Sequence, residues 1–348
     1  MRVVVIGASG NVGTSVLRSL ADEPAVESIL GVARRLPTAA FEKTEWVRAD
    51  ISRDDLEPLF RGADCVVHLA WLIQPSHDPG HMWLTNVHGS RRVFRAVADT
   101  GVQALVYASS VGTYSAGPKD RRVDESWPTD ALQTNTYARH KSTIEQELDL
   151  LEGERPELRV VRLRQAFVFK REAGSEVRRL FLGPFVPNPM VRPTLIPVVP
   201  EHPRFRFQGV HSHDVGEAYR LAIVGDARGA FNIAADPVLD GERLGRVLGA
   251  RPVRIGRRAF RAFVEATWRL RLQPAEGSWV DLAYGVPLMD TRRAQAELGW
   301  TPKKTADEAL LELLNGIRSS AGLGTPPLAP ESNRLEELAT GVGGSERL

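Results

Sequence analysis

The stretch from Arg2 to Gly13 constrains this chain more than any other. Val3, Val4, Val5 and Ile6 form an unbroken apolar run, the pattern of a strand buried on both faces. Gly7, Gly10 and Gly13 follow at a spacing of three, and then Val16-Leu17 and Leu20-Ala21 recur at a helical period. Strand, glycine turn and helix in this order open a dinucleotide-binding βαβ unit. The turn is tight, and a side chain at Gly10 would take the space that a pyrophosphate needs. The free N–H groups of Ser9, Asn11 and Val12 at the helix start then meet the anion. The spacing is Gly-x-x-Gly-x-x-Gly, not the Gly-x-Gly-x-x-Gly of the common dehydrogenases.

The pattern continues as alternating strands and helices. Ser28–Val32, Trp46–Ile51, Asp64–Ala70, Ala104–Ala108 and Arg159–Leu163 read as strands two to six. Trp83 to Thr100 and Thr136 to Leu151 read as long helices, and Asp54 to Phe60 as a short one. The predicted class is α/β: a Rossmann-type doubly wound parallel sheet with a smaller C-terminal substrate-binding region. Residues 1–169 are expected to form the dinucleotide-binding domain. Residues 170–318 are expected to form the substrate region, interleaved with the last Rossmann elements, with a proline-rich loop or edge over 183–204. The run 319–348 is rich in Gly, Pro, Ser and charge, which predicts a disordered tail.

An acid about 20 residues past the glycine turn would select NAD through the adenosine ribose. That place falls near Ala33, with Arg34 and Arg35 next, and arginines suit a 2′-phosphate. NADP(H) is therefore the expected cofactor, with NAD(H) possible. Lys+Arg 45 against Asp+Glu 43 gives a net charge of +2, with no signal for a nucleic-acid partner. No apolar run is long enough to span a bilayer, and no secretory leader is evident, so a cytoplasmic protein is expected. Cys65, the only cysteine, sits in an apolar run and reads as core. Residues 251–271 carry seven arginines among Phe260, Phe263 and Trp268. An amphipathic surface helix with a solvated basic face accounts for them; a phosphate-bearing substrate and a membrane surface are the alternatives.

Three features carry chemistry. Ser110 ends the fifth strand, at the sheet edge where such folds bind ligands. Tyr137 and Lys141 open the next helix, and their spacing of four puts them on one face. A phenol with a pKa of roughly 10 is a poor base at neutral pH. A nearby ammonium, or an oxidised nicotinamide, favours the phenolate. Ser110 then holds the same substrate oxygen.

With these residues the chain resembles the extended short-chain dehydrogenase/reductase family, the NAD(P)-dependent epimerase/dehydratases, over roughly residues 1–315. Further matching pieces are Asp50-Ile51, His68-Leu69-Ala70, Asn86 to Ser90, Leu163 to Phe169, Val210 to Val215 and Glu297 to Pro302. The resemblance implies that Tyr137 is the acid/base, that Lys141 lowers its pKa and bonds the nicotinamide ribose, and that Ser110 polarises the reacting oxygen. It also implies that Asp50 and Ile51 contact adenine, that Leu69 and Ala70 pass close to the cofactor, and that Phe167 lies by the nicotinamide. Asn86 would support the active-site helix and its lysine. Pairing through helices 83–100 and 136–151 would make a homodimer, with Val93, Phe94, Leu148, Leu150 and Leu151 as apolar residues beyond one core-facing stripe.

Two departures bear on the substrate. Lys170-Arg171 stands where the family often has Gly-Pro, and Pro203 to Gly209 lacks the diphosphate-sugar pattern of many members. A small or largely apolar carbonyl compound is the expected substrate. A nucleotide-sugar epimerase or dehydratase is the alternative, and a non-catalytic dinucleotide-binding protein a second one. His68 reads as a core histidine. His211 and His213 read as alternating strand residues, with no metal site expected. His140 is expected to face away from the chemistry, and Ser109 and Thr113 are either loop hydrogen-bonders or pocket residues.

Overall fold

The computed structural model describes residues 1–74, 76–192, 195–330 and 342. Seven parallel strands form the main sheet: Arg2–Ile6, Ser28–Ala33, Thr44–Arg48, Cys65–His68, Ala104–Ser110, Arg159–Gln165 and Gly229–Ile233. Numbered in chain order, they lie side by side as 7-6-5-4-1-2-3. The order reverses between the first and fourth strands, which opens a crevice at their carboxyl ends.

The apolar run of the first strand explains its central place. Val3 and Val5 enter the core on one side of the sheet, Val4 and Ile6 the core on the other. The Asn11–Ala21 and Ser212–Val224 helices cover the first side with Val16, Leu17, Leu20, Val215, Tyr219 and Ala222. The Ser90–Thr100 and Thr136–Glu154 helices cover the second with Val93, Phe94, Val97, Ile144 and Leu148. Such two-sided burial needs strands without polar alternation, which is the pattern these segments carry.

The remaining elements form smaller sheets and a helical layer at the carboxyl edge. Phe167–Phe169, Arg206–His211 and Ala235–Asp240 make a three-stranded sheet, and Val198–Glu201 pairs with Arg251–Arg254. The Arg257–Arg269 helix follows.

Four expectations change. The helix expected over 83–100 is an α-turn at Pro79–Trp83, a π-turn at Leu84–Gly89 and a helix from Ser90. His213 lies in a helix, not a strand; His211 ends the strand and caps that helix, its Nδ1 accepting from the His213 N–H at 3.2 Å. Val93, Phe94, Leu148 and Leu151 are buried in their own core, so of the apolar residues assigned to a dimer face only Leu150 is exposed; Trp83 and Leu84, ahead of the Ser90–Thr100 helix, are exposed as well. Residues 319–330 are ordered. The Gly324 carbonyl accepts from the N–H groups of Thr38 and Ala39 at 2.9 Å, and Leu328 is fully buried. Composition does not register such a segment, because partners from residues 36–39 and 170–180 satisfy its backbone. Residues 331–348 of that tail, Val342 excepted, lie outside the described residues.

Candidate active site

Two neighbouring regions at the carboxyl edge hold the predicted residues. The first is a cleft at the crevice, lined by Gly7, Ser9, Gly10, Arg34, Arg35, Asp50, Ile51, Leu69 and Ala70. Asp50, Leu69 and Ala70 lie just past the ends of their strands, which is why they reach the edge. Gly7 takes a left-handed φ of +79°, and a Cβ there would fall 2.7 Å from the Ala70 nitrogen. Gly13 packs inward: a Cβ would lie 2.4 Å from the Gly7 carbonyl oxygen. Gly10 differs from both. A Cβ on it would meet no protein atom closer than the Gly7 oxygen at 3.5 Å, so the space it leaves belongs to the cleft. An open glycine at the start of the Asn11–Ala21 helix, beside N–H groups without a side-chain cap, fits a bound pyrophosphate.

Asp50 is hydrogen-bonded on one oxygen by the N–H and hydroxyl of Ser52, at 2.9 and 2.7 Å. Burial pushes its carboxyl up, but those bonds, with Arg34 and Arg53 nearby, hold it below the ordinary value. Asn11, Val12, Gly13 and Phe167 do not line this cleft. Asn11 donates from Nδ2 to the Val168 carbonyl at 3.2 Å, while its carbonyl accepts from the buried Lys170 ammonium at 2.7 Å. Phe167 stacks edge-on with Phe207 at 5.4 Å. Lys170, at the departure from the family pattern, also donates to the Thr14 hydroxyl at 2.6 Å and so pins the helix from beneath.

The second region is the Ser110, Tyr137 and Lys141 group. Asn135 caps the Thr136–Glu154 helix by accepting from the Ala138 N–H at 2.8 Å, which places Tyr137 in its first turn. Ser110 accepts from the Gly112 N–H at 3.0 Å, and its hydroxyl faces the phenol. Lys141 donates to the Ala108 carbonyl at 2.6 Å and the Tyr107 hydroxyl at 3.3 Å, with its ammonium 5.9 Å from the Tyr137 ring centroid. Burial pushes the Tyr137 phenol up to about 12, with the Ser110 hydroxyl acting the other way. Burial also drives the Lys141 ammonium well down, which Glu145 partly opposes. The protein alone therefore favours the neutral phenol, and a cation in the adjoining cleft would shift it back.

Asn86 reaches the active-site helix at His140, its Nδ2 3.5 Å from His140 Nδ1, and no hydrogen bond joins it to Lys141 among the described residues. It is fully buried, accepts from the Leu72 N–H at 2.7 Å and donates to the Leu72 carbonyl at 2.8 Å. The π-turn carries this clamp on the segment that leaves the fourth strand. Ser109 is buried too and donates to Glu145, so it is structural. Arg164 holds Glu145 with two bonds of 3.0 and 2.9 Å, and Arg162 adds one at 3.1 Å. His68 donates to or accepts from the Ser90 hydroxyl at 2.8 Å, and burial pushes it down to about 3, as a neutral core histidine. Among the described residues no cluster of His, Cys, Asp and Glu has metal-binding geometry.

Trp71 was not foreseen. It lines the cleft and places its indole 3.6 Å from the Lys141 ammonium, edge-on to Tyr137 at 6.1 Å. Its signal was available, since it directly follows the His68-Leu69-Ala70 match. Trp279, 5.4 Å from Tyr137, and Phe181, 5.1 Å from Trp279, extend the aromatic wall. Pro326 and Pro327 line the outer cleft, where composition had indicated only disorder.

The NAD dependent epimerase/dehydratase family matches residues 3–180. An uncharacterized protein of Mycobacterium tuberculosis is 28% identical over 338 residues, which is 90% of this chain and 83% of that protein. Sterol-4-alpha-carboxylate 3-dehydrogenase, decarboxylating, of Saccharomyces cerevisiae is 28% identical over 180 residues, 48% of this chain and 51% of that one. The solved structure of Thermus thermophilus UDP-glucose 4-epimerase with NAD matches at TM-score 0.65 and 23% identity, over 91% of this chain and 99% of that one. At that identity the likeness is one of fold.

Proposed function

On the premise that the chain belongs to the NAD dependent epimerase/dehydratase family, we propose that it is an NAD(P)-dependent oxidoreductase acting at a carbonyl or carbinol carbon. One observation carries the reading: Ser110, Tyr137 and Lys141 meet at the carboxyl end of the sheet, beside the glycine cradle. When bound, the nicotinamide dinucleotide supplies or accepts the hydride. Ser110 holds the substrate oxygen, and Tyr137 gives or takes its proton at the phenol oxygen. Lys141 contributes positive charge behind the phenol and Trp71 walls the site against water. Gly7, Ser9, Gly10, Arg34, Arg35, Asp50, Ile51, Leu69 and Ala70 hold the adenosine and phosphate end.

NADP(H) is preferred in this reading, because Arg34 and Arg35 follow the second strand directly and line the cleft. NAD(H) is favoured instead by the cofactor of the Thermus structure. The aromatic wall of Trp71, Trp279 and Phe181 suits a small or apolar carbonyl substrate. A nucleotide-sugar epimerase is the second reading, supported by the named activity of that same structure. The exposed Trp83, Leu84 and Leu150 support a homodimer through the helices they sit on. Cofactor absorbance decides between the two chemistries. A reductase consumes NADPH stoichiometrically with a ketone or aldehyde; interconversion of UDP- or dTDP-sugars without net cofactor change would overturn the first reading.

A further inference from the structure

The Arg257–Arg269 helix has no buried residue along its whole length. Its inner side is tied down by polar contacts. Arg257 and Arg261 bond Asp281 at 2.8 and 2.9 Å, and Trp268 stacks on His77 at 4.2 Å while donating to the Ser76 hydroxyl at 2.9 Å. Its outer side is an apolar stripe at helical period: Ala259, Ala262, Phe263, Ala266 and Leu270, all exposed. Phe263 is 66% and Leu270 70% accessible, and a contiguous exposed apolar stripe, unlike single exposed residues, marks an interaction surface. Leu272 continues the stripe and is exposed. Phe185, also exposed, lies two residues beyond Gly183, where an added Cβ would fall 3.1 Å from Pro274 Cδ and 3.4 Å from Gln273 Cα.

Charge says what kind of partner fits. Exposed Arg258, Arg269 and Arg271 flank the stripe. Residues 251–281 hold seven arginines against three carboxylates, a net +4 in a chain whose total is +2, so the rest carries −2. An exposed apolar stripe flanked by arginines matches the interface of an anionic bilayer, where the apolar face enters the acyl boundary and guanidinium groups meet phosphates. Another protein would have to supply apolar area and anionic charge together. We propose that this helix, with Leu272 and Phe185, docks the protein on an anionic lipid surface.

Phe185 lies close in sequence to the aromatic wall of the candidate site. From Phe185 the chain leads back to Phe181, which packs on Trp279, which packs on Tyr137. An apolar substrate would pass along this wall from the lipid to the phenol. That consequence rests on the function proposed above, whereas docking itself does not.

The test is co-flotation of the full chain with vesicles of phosphatidylcholine alone and of phosphatidylcholine with phosphatidylserine, at low and high salt. The expected result is binding to the anionic vesicles alone, weakened by salt. The variants Phe263→Ser with Leu270→Ser, and Arg258→Glu with Arg271→Glu, should each lower bound protein at least tenfold. Calorimetric cofactor titration should match the wild type in both, since none of these positions lines the cleft. Equal flotation by wild type and variants, or no flotation with anionic vesicles, overturns the proposal. So does a wild-type oligomer that the Ser variant splits without any vesicle binding, because a second copy would then cover the stripe.

Discussion

Gly10 and Gly13 occupy the same turn for different physical reasons, and substituting each by alanine separates ligand space from packing space. At Gly13 a new Cβ would lie 2.4 Å from the Gly7 oxygen and 2.6 Å from the Ala8 carbonyl carbon, both backbone atoms that cannot rotate away. Forcing a methyl group into that gap costs about 1–3 kcal/mol of stability. Gly10 sits at φ −82° and ψ −176°, a conformation open to alanine, with no protein atom within 3.5 Å of the new carbon. Alanine is a poorer helix cap than glycine by about 0.5–1 kcal/mol. Restricting the unfolded chain returns about 0.4–1 kcal/mol. The two terms nearly cancel, leaving Gly10→Ala within about 0.5 kcal/mol of the wild type. Its methyl group instead occupies the phosphate position, so affinity for NADPH and NADH should fall at least about tenfold, or roughly 1.4 kcal/mol. Urea unfolding without ligand, paired with calorimetric titration, reads both quantities. If Gly10→Ala binds within about threefold of the wild type, or loses as much stability as Gly13→Ala, the assignment of this cleft to the cofactor fails.

Four further outcomes are expected. Tyr137→Phe should remove turnover while leaving cofactor affinity nearly intact, and a rate above about a tenth of the wild type would refute the acid/base role. Arg34→Ala should narrow the affinity gap between NADPH and NADH by at least about 1 kcal/mol, and equal affinities in the wild type would make NAD(H) the cofactor. Burial alone would raise the Glu145 carboxyl, but Arg164 and Arg162 bring it down to about 2 from 4.5. A depressed acid contributes stability fully above pH 4.5 and loses it as pH falls toward 2, so Glu145→Gln should cost about 3 kcal/mol at neutral pH and flatten the acid limb of the unfolding profile. An acid limb superposing on the wild type would count against it. Light scattering should give twice the chain mass at micromolar concentration, and a single chain mass would refute pairing through the helices bearing Trp83 and Leu150.

The class of fold was legible in Val3 to Ile6 and the glycines after them, because a strand buried on both faces and a turn without side chains leave one local solution. The same holds for the segments of the first six strands and for Ser110 and Tyr137, whose places follow from a strand end and a helix start. The helix near Asn86 was less legible. Its π-turn depends on an amide that leaves the helix to clamp Leu72, a partner 14 residues away. Residues 319–330 are less legible for a related reason: Gly324 and Leu328 are held by Thr38, Ala39 and the core, and composition counts residues without counting partners. Tertiary structure alone placed Trp71 over Lys141 and moved both members of the expected acid/base pair, the phenol up and the ammonium down. Desolvation is set by every group packed around an atom, and those groups come from distant parts of the chain, whereas backbone period and turn chemistry are written within a dozen neighbouring residues.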